Sequence, residues 1–133
     1  MAQEHAVVML CKNLDENTFA RVAEAFMTKD GALRKEFGGL TTTKLRGIYG
    51  MVMNVYTKIN TPEDFDACKS DLQYLKVKMA YEAGREPAVK TFLEITKLMQ
   101  LIDCVKSYDQ FKLYCRYAES LVAYFKFYGG KDK

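Results

Sequence analysis

The most constraining feature of the sequence is its last long segment, residues 108–130, in which apolar residues recur at intervals of three and four. This spacing places them on one face of a helix that packs against a core. The predicted packing face consists of Phe111, Tyr114, Cys115, Ala118, Leu121, Val122 and Phe125. Tyr117, Tyr124 and Tyr128 are predicted at its border, and Arg116 and Lys126 on the opposite side. The pattern alone leaves open a core helix, a nucleic-acid surface, or both.

Helix start signals divide the rest of the chain. Ser, Thr and Asp favour the N-cap position because their side-chain oxygens accept a bond from an unpaired backbone N–H, and proline suits the first helical position. The predicted N-caps are Asp15, Thr42, Thr61 and Ser107. The predicted helices cover residues 16–29, 42–58, 62–83, 87–106 and 108–130. The third of them is expected to stop at Gly84, and a short turn is expected over residues 32–37.

These elements predict an all-α fold, a compact single-domain helical bundle of about five to six helices. With 133 residues, of which 49% are hydrophobic and 28% charged, the composition is that of one globular domain. The domain is expected to span residues 1–133, with residues 1–39 less regular and residues 40–130 as the firm helical core. Neither a signal peptide nor an apolar membrane span is visible, so we expect a cytoplasmic protein.

Residue types that serve catalysis or metal binding are scarce. His5 is the single histidine, which argues against a histidine-based triad or a histidine-rich metal site. The four cysteines lack paired metal-ligand spacing, and we expect reduced thiols, mostly buried. Those cysteines are Cys11, Cys68, Cys104 and Cys115. The sequence therefore argues against an enzyme and predicts no catalytic residue, no metal and no cofactor.

Aromatic and basic residues alternate along the predicted helix over residues 62–83. Tyr74, Lys78 and Tyr81 are spaced four and then three residues apart, and Arg85 continues the line. This combination suits RNA, because cations neutralise phosphates and aromatic rings stack on bases. Lys76 lies nearly opposite Lys78 around the helix. A solvated rim, a nucleic-acid surface and a protein-only interaction surface all fit this pattern.

A second basic position is the first turn of the helix over residues 42–58, which contains Lys44 and Arg46. A phosphate near that turn would also meet unpaired backbone N–H groups. The formal net charge of +3 is modest, but it is unevenly distributed. Residues 1–40 carry five Lys and Arg against six Asp and Glu, whereas residues 41–133 carry fifteen against eleven. The basic excess therefore belongs to the body of the domain.

Three motifs, in order, resemble a known family. The first is LTTTKLR at residues 40–46, and the second is YLKVK at residues 74–78 followed by YEAGRE at residues 81–86. The third is CRY at residues 115–117 followed by ESLVAYFKFYGGK at residues 119–131, with Ser120 where the family mostly has alanine. Together they resemble the small subunit of type III-A CRISPR–Cas interference complexes, the Csm complexes. Residues 1–39 carry no part of the resemblance.

The resemblance implies a small helical subunit without catalytic activity that is present in several copies along a filament built on a CRISPR RNA. Its implied partners are the guide RNA and the target RNA, whose duplex backbone it contacts, the backbone and large subunits, and neighbouring copies of itself. The implied RNA-binding residues are the basic positions within the motifs, Lys44, Arg46, Lys76, Lys78, Arg85, Arg116 and Lys126. The alternative is a protein-only assembly spacer without direct RNA contact.

Overall fold

The computed structural model describes residues 19–27 and 39–128, which form six α-helices and one 3₁₀ helix and contain no strand. The predicted all-α class is therefore confirmed. The α-helices are α1 (Phe19–Met27), α2 (Thr42–Tyr56), α3 (Pro62–Ala67), α4 (Lys69–Arg85), α5 (Pro87–Thr96) and α6 (Tyr108–Phe127). The 3₁₀ helix covers Gln100–Cys104. The predicted cap Asp15 and the turn over residues 32–37 lie outside the described residues.

Side-chain caps begin three of the helices. Thr61 accepts a bond from the backbone N–H of Asp64 at 3.0 Å, and Ser107 accepts one from Gln110 at 3.2 Å, as predicted. The predicted cap Thr42 is wrong by one residue. Thr41 has the extended backbone of an N-cap and accepts from Lys44 N at 3.2 Å, whereas Thr42 is the first helical residue and is buried.

Two predicted helices are divided in the structure. Cys68 leaves the helical conformation and separates α3 from α4, which then continues through Gly84 to Arg85. The predicted helix over residues 87–106 ends instead at Thr96, because Lys97 takes the left-handed conformation with φ 63°. A left-handed residue commonly ends a helix and redirects the chain. The redirected segment buries Leu98, Leu101 and Ile102.

The core is built around α6. Tyr114 and Tyr117 are fully buried, and their hydroxyls donate to the carbonyl oxygens of Leu98 at 2.7 Å and Thr96 at 2.8 Å. The border position predicted for Tyr117 is therefore wrong, because the end of α5 covers this side chain and accepts its hydrogen bond. Burial raises the pKa of both tyrosines above the ordinary range.

The cysteines differ from one another. Cys68 and Cys115 are free thiols, and Cys115 is buried as predicted. Burial raises the pKa of Cys115 to about 12, which keeps it protonated and unreactive at neutral pH. Cys104 is disulfide-bonded, so the prediction of a reduced thiol is wrong there. Cys11 lies outside the described residues.

Helix α2 runs antiparallel to both α4 and α6. At one end Lys44 Nζ lies 3.2 Å from Glu86 Oε2, and at the other Lys58 Nζ lies 3.8 Å from Asp71 Oδ1. On the α6 side, the ring of Tyr56 stacks on that of Phe111 at 6.2 Å between centroids. The N-terminal turn of α2 is therefore placed against the C-terminal end of α4 and towards the C-terminal half of α6.

Candidate nucleic-acid interface

The aromatic and basic side chains of α4 form one exposed line, which we call the tyrosine stripe: Tyr74, Lys78, Tyr81 and Arg85. Tyr74 is 59% exposed and Tyr81 is 65% exposed. Lys78 Nζ lies 4.9 Å from the ring centroid of Tyr74, and Arg85 Cζ lies 5.7 Å from that of Tyr81. These are cation–π distances. The i, i+4, i+7 spacing thus gives the arrangement that the sequence predicts: a cation beside each ring on a solvent-facing side.

A shallow groove of about 440 Å³ lies between the tyrosine stripe and α2. Met51 of α2 and Val77 of α4 supply apolar surface beside the two tyrosines, and Val77 is 59% exposed. A partner that covered the groove would bury this apolar surface, which is favourable in water. Neither residue is among those predicted from the sequence, although the sequence contains a signal for Val77. Its position on α4 falls outside the face that Leu72, Leu75 and Met79 bury.

Two of the predicted site lysines are engaged in ion pairs between elements. Lys44 Nζ contacts Glu86 Oε2 and also donates to the carbonyl oxygen of Gly39 at 3.2 Å. Lys76 Nζ pairs with Asp103 Oδ2 of the 3₁₀ helix. These pairs tie α2 to the C-terminal end of α4 and the 3₁₀ helix to the middle of α4. A phosphate at either lysine would have to compete with a carboxylate, and the contact of both lysines with RNA stays a prediction.

Arg46 lies on a different side of α2 from Lys44, since two residues along a helix turn the side chain by about 160°. The antiparallel packing places the N-terminal turn of α2 towards the C-terminal half of α6, and Arg116, near the middle of α6, and Lys126, in its last turn, are both exposed. Neither Arg46 nor Arg116 forms an ion pair with another residue of ranges 19–27 and 39–128. We call Arg46, Arg116 and Lys126 the α2–α6 surface.

The carboxylate of Glu119 lies near Tyr49, where α2 packs against α6. The pKa of Tyr49 is raised mainly by burial and secondarily by the negative charge of Glu119. On the other side of α2, Arg85 NH1 lies 3.3 Å from Glu82 Oε1, so the stripe is not purely basic either. The seven predicted residues therefore divide into the stripe (Lys78 and Arg85), the α2–α6 surface, and the two paired lysines.

The described residues offer little for other kinds of site. Within ranges 19–27 and 39–128, no group of three or more His, Cys, Asp or Glu residues is arranged to hold a metal ion. In the same part of the chain no helix combines the length and the apolar character needed to cross a membrane.

Comparison with known proteins identifies the family. A model of the family described as Csm2 Type III-A matches residues 18–131. The chain belongs to the Csm2 family of type III-A CRISPR systems. The relative named CRISPR system Cms protein Csm2 in Enterococcus italicus is 46% identical over 121 residues, covering 83% of this chain and 86% of the relative.

Two further relatives carry the same printed name. The protein of Streptococcus thermophilus is 40% identical over 93 residues, which cover 70% of this chain and 76% of the relative. That of Mycobacterium tuberculosis is 37% identical over 98 residues, covering 71% and 79%. Membership of the Csm2 family confirms the resemblance found in the three motifs. All seven predicted site residues lie within the matched region, and their contact with RNA stays a prediction.

Proposed function

We propose that this member of the Csm2 family is a non-catalytic, RNA-binding small subunit of a type III-A CRISPR effector, which contacts the backbone of the guide–target duplex. The observation that carries the proposal is the pair of exposed arginines, Arg46 and Arg116, without an ion-pair partner among the described residues. A guanidinium contacts phosphate oxygens with two parallel hydrogen bonds. Such contacts read the shape and not the sequence of an RNA duplex.

The titratable groups of the core support a non-catalytic role. Cys115, Tyr114 and Tyr117 have raised pKa values because they are buried. A raised pKa keeps a thiol or a phenol protonated at neutral pH, whereas an activated nucleophile or base needs the opposite shift. The proposal therefore assigns these residues to packing and no reaction to the chain.

The proposed partners are the guide and target RNA, the backbone and large subunits of the Csm complex, and neighbouring copies of the chain, all in the cytoplasm. A second candidate function is a protein-only assembly spacer. The exposed groove lined by Met51 and Val77 favours it, because a neighbouring subunit would bury this apolar surface. The two functions differ in what happens to RNA affinity when the arginines are reversed.

The test is the charge reversal Arg46→Glu with Arg116→Glu, measured on the assembled complex and on the full chain at low salt with a fluorescent RNA duplex. Each lost phosphate contact lowers the slope of log affinity against log salt by about one. We expect the slope to fall by about two and the affinity by at least about tenfold.

The matched control is Lys90→Glu with Lys106→Glu, which changes the net charge equally at two exposed positions elsewhere on the surface. If both pairs weaken binding alike, only net charge matters and the α2–α6 surface is not the contact. A complex that loses copies of the subunit while its RNA affinity is unchanged would identify the assembly spacer instead.

A further inference from the structure

The tyrosine stripe has aromatic rings that the fold itself does not use. Tyr114, Tyr117 and Tyr128 each donate their hydroxyl to a partner within the protein. In contrast, the hydroxyls of Tyr74 and Tyr81 bond to no other described residue, and more than half of each side chain is exposed. Each ring has a cation beside it, and between the rings lies the apolar side chain of Val77.

We propose that the tyrosine stripe binds unpaired RNA nucleotides, with bases stacked on Tyr74 and Tyr81 and phosphates contacted by Lys78 and Arg85. This inference rests on the proposed RNA-binding function and adds a second, single-strand-specific contact to it. Stacking on aromatic rings is sequence-tolerant, because every base has a π-face. Unpaired bases are required, since the bases of an A-form duplex are already stacked on one another.

The spacing along α4 suits a short single strand. Tyr74 and Tyr81 are seven residues apart, which corresponds to a rise of about 10.5 Å along the helix. Successive stacked bases are separated by about 3.4 Å along one strand. The two rings therefore lie about three base steps apart. Lys78 lies between them along the helix, where the backbone of a strand joining the two stacked bases would pass.

Charge complementarity favours RNA over a protein occupant. Lys78 has no carboxylate within ion-pair distance among the described residues, and Arg85 has only the exposed partner Glu82, three residues away. A phosphodiester chain supplies anions at regular intervals to both cations while its bases cover the rings. A protein segment in the same groove would have to supply a carboxylate at Lys78 or leave that charge without a partner.

The experiment compares two double variants of the full chain at low salt, Tyr74→Leu with Tyr81→Leu and Tyr74→Phe with Tyr81→Phe. The probes are a fluorescent single-stranded RNA of about 12 nucleotides containing 2-aminopurine and an RNA duplex. Leucine keeps the apolar surface but removes the ring, whereas phenylalanine keeps the ring and removes the hydroxyl. Circular dichroism of both variants checks that they fold.

We expect the leucine pair to bind the single strand about 30- to 100-fold more weakly, at the lower end of what two stacked bases contribute. The affinity of the phenylalanine pair for the single strand should remain within about twofold of that of the wild type. Fluorescence quenching of 2-aminopurine should persist with phenylalanine and disappear with leucine. Duplex affinity should be unchanged in both variants, because it depends on the α2–α6 surface.

The results separate this inference from the proposed function. Unchanged single-strand affinity in the leucine pair, together with weakened duplex binding in the Arg46→Glu and Arg116→Glu variant, refutes stacking and leaves the proposed function standing. The inference is also overturned if the phenylalanine pair weakens single-strand binding as much as the leucine pair does. The same holds if the wild type has no measurable affinity for the single strand. A leucine pair that keeps RNA affinity but is lost from the assembled complex identifies the stripe as a protein-docking surface. Unchanged duplex binding in the arginine variant refutes the proposed function itself.

Discussion

The hydroxyl of Tyr117 is predicted to be a structural cap for the end of α5. The last carbonyls of any helix lack an intrahelical partner. Here the carbonyl oxygen of Thr96, the final residue of α5, accepts from Tyr117 at 2.8 Å in a fully buried setting. Replacing Tyr117 with phenylalanine keeps the buried ring and removes only this donor. The change therefore isolates the cost of an unsatisfied buried carbonyl.

The expected loss of stability is about 2 kcal/mol, within the range for leaving a buried acceptor without a partner. For a chain of this length that corresponds to a fall in Tm of about 6–10 °C. Urea unfolding followed by circular dichroism measures it, and the m-value should be unchanged because the folded state stays compact. Tyr81→Phe is the matched control. The same atom is removed from a side chain that is 65% exposed, and stability should change by less than about 0.5 kcal/mol.

A Tyr117→Phe protein as stable as the Tyr81→Phe control would contradict this account. It would mean that the Thr96 carbonyl finds another partner once the hydroxyl is gone, or that the hydrogen bond contributes nothing net. Tyr114→Phe supplies an independent check, because its hydroxyl donates to a different carbonyl, that of Leu98. The double variant then measures the coupling between these two neighbouring hydrogen bonds.

Two further predictions concern pH and the start of α2. The pKa values of Tyr114, Tyr117 and Cys115 are higher in the folded protein than in the unfolded chain. The free energy of unfolding is therefore at its full value below about pH 9. It falls at higher pH by about 1.4 kcal/mol per pH unit for each group that titrates in the unfolded chain. Urea midpoints between pH 7 and 11 measure this, and a flat profile would contradict the burial of these groups. Thr41→Ala should cost about 1 kcal/mol by removing the cap. Thr42→Val should be neutral or stabilising in the same assay, because Thr42 Oγ1 is buried and unpaired in the described part of the chain; equal losses at both positions would refute the cap assignment.

Local chemistry made several elements of the fold predictable. Thr61 and Ser107 are caps because an extended residue with a side-chain oxygen precedes each helix, and this depends only on neighbouring residues. The end of α5 at Lys97 was not predictable from neighbouring residues, because neither glycine nor proline marks it. That break goes together with the tertiary hydrogen bonds of Tyr114 and Tyr117 to the carbonyls of Leu98 and Thr96, which no local pattern shows.

The candidate site likewise has a part that was predictable from the sequence and a part that was not. The relation of Tyr74 to Lys78 and of Tyr81 to Arg85 follows from the helical period alone, so the tyrosine stripe was predicted from the sequence. The partner of Lys44 lies 42 residues away in the chain, at Glu86, and contacts between helices depend on packing. A basic residue can be placed on a helix face from sequence, but whether its charge is already paired depends on the neighbouring element.

Ion pairing within the fold limits how many cations of this chain are available to a polyanion. Several lysines whose charge contributes to the net +3 already lie beside carboxylates, among them Lys44, Lys58, Lys69, Lys76 and Lys112. On the proposed function, few cations per chain therefore remain for phosphates, and a single copy binds weakly and with strong dependence on salt. Copies held side by side on one RNA turn each further contact into an intramolecular event, and affinity then increases without any new contact. On the proposed function, a weak individual surface thus suits a subunit whose RNA binding is measurable at low salt in the single chain and becomes strong within the assembled complex.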